Sequence, residues 1–182
     1  MKSLFSILLV LLLCPCLTVG QQAYDFPLTS IDGKSILLKD YKGTKLLFII
    51  TSAAEPDSTL NQMAAFQKKY AGKVTVIAIP AVEEGFKNGD AAQLKRLYRS
   101  KGLDYVLLTE GMQVRKAAGA NQSALLQWLT KKEGNRHFDQ DVRGAGHKFF
   151  VDESGKLYAV IGPEFSLSST VIERVMSRAV IR

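Results

Sequence analysis

Two groups of side chains in this sequence have the types that chemistry requires. In HFDQDVRGAGH, the imidazoles of His137 and His147 and the carboxylates of Asp139 and Asp141 fall within eleven residues. Imidazole and carboxylate donors together could hold a zinc-like ion, but no spacing motif fixes their geometry, so four polar residues on a surface loop is the favoured reading. The second group is Glu55, Asp57, Glu83 and Glu84, which follow two apolar runs, KLLFIIT and VTVIAIP. If those runs are neighbouring parallel strands, the four carboxylates meet where the strands end, and a pair of them could do acid–base work. Glu55 and Asp57 also precede a helical pattern, whose positive N-terminal end attracts carboxylates without any catalysis. With no base-orienting partner in view, that second reading is favoured.

Sulfur is the group in shortest supply. The chain has two cysteines, Cys14 and Cys16, both inside MKSLFSILLVLLLCPCLTVG. Lys2, the apolar run from Leu4 to Leu13 and the small residues Thr18 and Gly20 have the form of a secretory signal peptide, residues 1–20. The run is short for a membrane span and no basic stop-transfer cluster follows it. Leu13 and Pro15, before the two cysteines, do not suit lipid attachment. Cleavage after Gly20 leaves residues 21–182 as a single domain with no thiol, so its stability must come from an ordinary core. A secreted or periplasmic location follows, with membrane contact only through an uncleaved signal segment. The net charge of +7 is scattered. Aromatic residues do not interleave with it as a base-stacking surface requires, so no nucleic-acid partner is expected.

The elements that must position these groups are readable from periodicity. YDFPLTSIDGKSILLKDYKG reads as a hairpin turning at Asp32-Gly33. Lys45 to Thr51 and Val74 to Pro80 are buried strands joined by a helix that Asp57 or Ser58 caps, in parallel order. Asp90 caps a helix running to about Ser100, Tyr105 to Leu108 is a third apolar run, and Ser123 to Lys132 is a helix whose Trp128, with Leu125, Leu126 and Leu129, forms a packing face. Lys148 to Asp152 and Leu157 to Ile161 flank a Glu153-Ser-Gly155-Lys turn, and a last helix starts near Leu167. Asn121-Gln-Ser123 matches a glycosylation triplet that carries no functional weight here.

This order, with four local motifs, resembles the glutathione peroxidase family. YDFPLTSIDGKSILLKDYKGTKLLFI is similar to its opening, FQKKYAGKVTVIAIP to its helix end and second strand, ALLQWL to its "L-x-x-W-L" helix, and HKFFVDESGKLYAVIGP to its "K-F-L-V-D-x-x-G-x" hairpin. Gly85 to Ala120 aligns only loosely. The resemblance implies an α/β, thioredoxin-like fold with a glutathione-peroxidase-type N-terminal hairpin, a central mixed sheet and flanking helices. It also implies a peroxidatic cysteine or selenocysteine supported by glutamine, tryptophan and asparagine.

Carried over by position, the nucleophile falls on Ala54, three residues after Thr51. The glutamine falls on Glu83, three after Pro80, and the tryptophan–asparagine pair falls on Gly144 and Ala145. A methyl group cannot attack a peroxide oxygen, and no proline lies between Pro80 and Pro163 to face a Cys-x-x-Cys loop. The expectation is an exported protein without thiol peroxidase chemistry or cofactor, which binds a small molecule or an envelope protein. Two alternatives stand beside it. One is residual oxidative-stress activity drawing on an external thiol or bound metal; the other is a non-thiol, metal-assisted enzyme with Glu83 or Glu84 as base.

Overall fold

The computed structural model describes residues 20–115 and 122–178. Asn121 and all of the signal segment except Gly20 lie outside them. A short antiparallel hairpin, β1 (Pro27–Thr29) and β2 (Ser35–Leu37), turns through Asp32-Gly33. Then follow β3 (Lys45–Thr51), α1 (Asp57–Lys69), β4 (Val74–Pro80), α2 (Ala91–Ser100), β5 (Leu107–Leu108), α3 (Ala124–Thr130), the single turn α4 (Lys132–Asn135), β6 (Lys148–Val151), β7 (Leu157–Ile161) and α5 (Thr170–Ser177). The second sheet has the order β5-β4-β3-β6-β7.

β3 is buried along its whole length, as its unbroken apolar run demands of a central strand covered on both faces. It pairs in parallel with β4, from Lys45 opposite Val74 to Thr51 opposite Pro80, and antiparallel with β6. Side chains alternate across the sheet. Leu46, Phe48 and Ile50 pack with Phe149, Trp128 and the N-terminal segment on one face, while Leu47 and Ile49 pack with Leu60, Met63 and Phe66 of α1, Tyr98 of α2 and Ile172 of α5 on the other. Full burial of a side chain such as Phe48, Phe149 or Phe150 stabilises by about 1.5–3 kcal/mol, so the two faces provide what disulfides would otherwise supply.

Several local expectations are corrected. Pro56, not Asp57 or Ser58, precedes the first turn of α1, without a side-chain cap; the Asp57 carboxylate instead meets Lys101 Nζ at 2.9 Å. Asp90 does not cap α2, because its carboxylate accepts the Lys87 N–H at 2.9 Å. The third apolar run shrinks to Leu107–Leu108, with Tyr105 83% exposed. The last helix starts at Thr170 rather than near Leu167. Ser123 does cap α3, accepting the Leu126 N–H at 3.3 Å. Gly155, at φ +87, makes the β6–β7 turn and lies flat against Tyr24, where a methyl group would stand 2.7 Å from the ring.

Candidate functional site

The C-terminal ends of β3 and β4 bring three segments together. Ala81 N–H donates to the Thr51 carbonyl at 2.9 Å, and Ala53 N–H donates to the Glu84 carbonyl at 3.3 Å, which ties the Ala54 loop to the turn at Val82–Glu84. From the other side, Gly146 N–H reaches the Ile50 carbonyl at 2.7 Å and Ile50 N–H reaches the His147 carbonyl at 2.9 Å. A methyl group on Gly144 would stand 3.6 Å from Glu84 Oε1. Ala54 is exposed at the centre of this junction, Gly144 is buried and Ala145 half-buried. The four positions that the sequence singles out therefore lie on segments that meet at one end of the sheet.

The carboxylates there are engaged. Glu83 accepts the Val114 N–H at 3.0 and 3.1 Å and the Arg115 N–H at 2.7 Å, so its carboxylate clamps the chain after β5. Glu84 pairs with the Arg115 guanidinium. Glu55 turns inward rather than toward the helix: it is 8% exposed, and its Oε1 accepts the Ser52 N–H at 2.6 Å. Burial raises its pKa above the usual carboxylate range, while the Ser52 hydrogen bonds and the Lys148 charge pull it back.

Lys148 is a functional-looking group that the sequence hides. It begins β6, 3% exposed, with its ammonium donating to the Gly146 carbonyl and, at 2.7 Å, to that of Phe165. Burial pushes its pKa down to about 8, against the attraction of Glu164 and Glu55. The Tyr98 hydroxyl faces the same cluster. Burial and then the Glu55 charge raise its pKa, and the neighbouring Thr51 hydroxyl opposes them. Strand parity signals this placement, since Lys148 and Phe150 share the face that packs on α1.

The histidine segment does not assemble. Asp139 and Asp141 both pair with Lys131 Nζ, at 3.6 and 2.8 Å. His137 is exposed, its ring 6.4 Å from that of Phe138. His147 is fully buried, stacked on Phe149 with centroids 4.9 Å apart, and its Nδ1 accepts the Arg143 N–H at 3.0 Å. Among the described residues no three His, Cys, Asp or Glu side chains converge as metal ligands. Nor is any described helix long and apolar enough to cross a membrane.

No family model matches the chain. It is 24% identical over 145 residues to a glutathione peroxidase of Lactococcus lactis subsp. cremoris, a match spanning 78% of this chain and 89% of that one. Among solved structures, T. cruzi GPX1 superposes with a TM-score of 0.63 at 18% identity, over 86% of this chain and 94% of the other. A thioredoxin-family thiol:disulfide interchange protein from Chlorobium tepidum superposes at 0.58 with 19% identity, over 86% and 94%. These structural likenesses establish a thioredoxin-like fold. In sequence and in the order of its elements the chain is similar to the glutathione peroxidases.

Proposed function

We propose that this is an exported, glutathione-peroxidase-like protein that works by binding a small molecule or an envelope protein, without thiol peroxidase turnover. The observation that carries the reading is where the sulfur lies: both cysteines fall within residues 1–20, the segment expected to be removed, and Ala54 occupies the loop between β3 and α1. That loop is where a thioredoxin-like scaffold presents a thiolate to a helix N-terminus. The alternative of acid–base catalysis draws less support, since the Glu83 carboxylate accepts two main-chain N–H groups and Glu84 is ion-paired.

The test is turnover of hydrogen peroxide and of a lipid hydroperoxide by the exported protein, with glutathione or thioredoxin as reductant. The expected rate equals that without protein. Turnover that survives metal removal overturns the reading. Intact-mass measurement of the same sample should give a chain starting near Gln21; retained Cys14 and Cys16 would restore a thiol and remove the premise.

A further inference from the structure

Residues 143–146 lie against the turn after β7, residues 162–165, and the seam between them has one titratable centre. Arg143 is held at both ends. Its guanidinium crosses Gly162, leaving no room for a side chain there, and pairs with Glu164 at 2.9 Å, while its main-chain N–H donates to His147 Nδ1 at 3.0 Å. A methyl group on Gly146 would meet Pro163 at 3.5 Å. Lys148 closes the seam from beneath: its ammonium donates to the Gly146 carbonyl on one side and, at 2.7 Å, to the Phe165 carbonyl on the other. The seam thus covers a lysine that is 3% exposed and that the Glu55 charge faces from the Ala54 loop.

His147 is the centre. Because its Nδ1 accepts a main-chain N–H, the neutral ring carries its proton on Nε2, which is buried and has no hydrogen-bond partner among the described residues. A second proton has to go on Nδ1, where it would point at the Arg143 N–H, donor against donor. The ring cannot turn to water in place, since it lies flat on Phe149, 4.9 Å between centroids, with no exposed surface. Arg143 from the preceding segment and Lys148 from its own strand repel an imidazolium, and Glu164 from the turn after β7 attracts it. Ile50, beside it on β3, adds no charge, and Glu84, across Gly144, is already paired with Arg115. Burial outweighs these charges and pushes the His147 pKa down to about 4.

We propose that residues 143–146 form an acid-opened latch: a proton on His147 Nδ1 breaks the hydrogen bond from Arg143, and the segment lifts off residues 162–165, opening Lys148 and the Ala54 loop to solvent. Linkage gives the sign. A ring freed into water recovers its ordinary pKa of 6.5, so between that value and about 4 the open form binds a proton that the closed form refuses. From pH 7.5 to pH 5 the open population should rise about thirtyfold. The ladder of β3 with β4 stays closed throughout, because none of its residues belongs to the seam. The latch works in the same way whether or not the Ala54 junction binds a ligand.

The test is amide hydrogen exchange of the 15N-labelled protein at pH 7.5 and pH 5, corrected for the intrinsic rate at each pH. The Arg143 and Gly146 amides, bonded to His147 Nδ1 and the Ile50 carbonyl, should be at least tenfold less protected than those of Phe48 and Ile77 at both pH values, as opening short of global unfolding requires. Their protection should fall about thirtyfold at pH 5 and should not respond to 1 M urea, because little surface is exposed. In His147→Gln the acid drop should vanish. Glu164→Gln, at an exposed position, should lower protection at Arg143 and Gly146 about threefold at both pH values and leave the acid drop in place. Protection at these two amides equal to that of Phe48 and Ile77 would mean that His147 takes its proton only in the unfolded chain, and would overturn the proposal. So would an acid drop that survives in His147→Gln, which would pass the role to Glu55, or unchanged protection in Glu164→Gln, which would show that the seam does not hold the segment. The parent protein and Glu164→Gln decide the matter even if His147→Gln does not fold.

Discussion

Ala54 is exposed on a loop whose main chain is fixed on both sides, so Ala54→Cys should fold without repacking any neighbour. The new thiol would sit beside the α1 N-terminus, which favours thiolate, and above the inward-turned Glu55 carboxyl, which opposes it. Adding Glu83→Gln removes one negative charge and offers an amide donor, and the double variant should consume peroxide faster than the single one. Its cost is set by geometry. A Gln amide presents one oxygen and one NH2 to the Val114 and Arg115 N–H groups, so part of the clamp is lost, at about 1–3 kcal/mol. Thiol loss at fixed peroxide and the denaturation midpoint measure the two effects; a double variant no faster than free cysteine would mean that this loop does not activate a thiol. Restoring tryptophan at Gly144 is not a comparable swap, because Gly144 sits at φ +143, where side-chain-bearing residues are strained.

Elements differ in how openly the sequence declares them. Continuous apolar runs bounded by turn residues, as in β3, β4 and β6, were legible almost to the residue, since burial on both faces leaves little room for another reading, and the edge strand β7 was legible from its turn. Caps were not. Asp57 and Asp90 have the right chemistry but found other partners, one a lysine 44 positions away in Lys101, the other the nearby Lys87 N–H. The use of Glu83 was hidden for the same reason, its partners lying 31 and 32 positions away. Ser123 is the cap that holds, and α3 depends on it, because the helix is only seven residues long and short helices gain little from propensity. Ser123→Ala should therefore destabilise the protein by about 1 kcal/mol. Ser123→Asp should restore most of it in the same urea titration; no recovery would mean that the serine acts through its 3.8 Å contact with Met112 and not as a cap.

For the molecule as a whole, a fold held by two apolar faces is exposed to any buried group that must change charge, and His147 is such a group. It lies at the junction of the sheet and the Arg143–His147 segment with no exposed surface, and burial, then the Arg143 and Lys148 charges, push its pKa from 6.5 down to about 4. Between those two values the unfolded chain binds a proton that the folded chain refuses, so stability falls as the pH drops from 6.5 toward 4, by up to about 3 kcal/mol for a shift of this size. Glu55 acts in the opposite sense, because its raised pKa lets the folded state take up a proton first as the solution is acidified. The two contributions separate by substitution. His147→Gln keeps an oxygen to accept the Arg143 N–H but has no proton to bind, so its denaturation free energy should be flatter than the parent's between pH 6.5 and 4. Urea titrations of both proteins across this range provide the comparison, and parallel curves would show that His147 is not the group that makes the fold acid-labile.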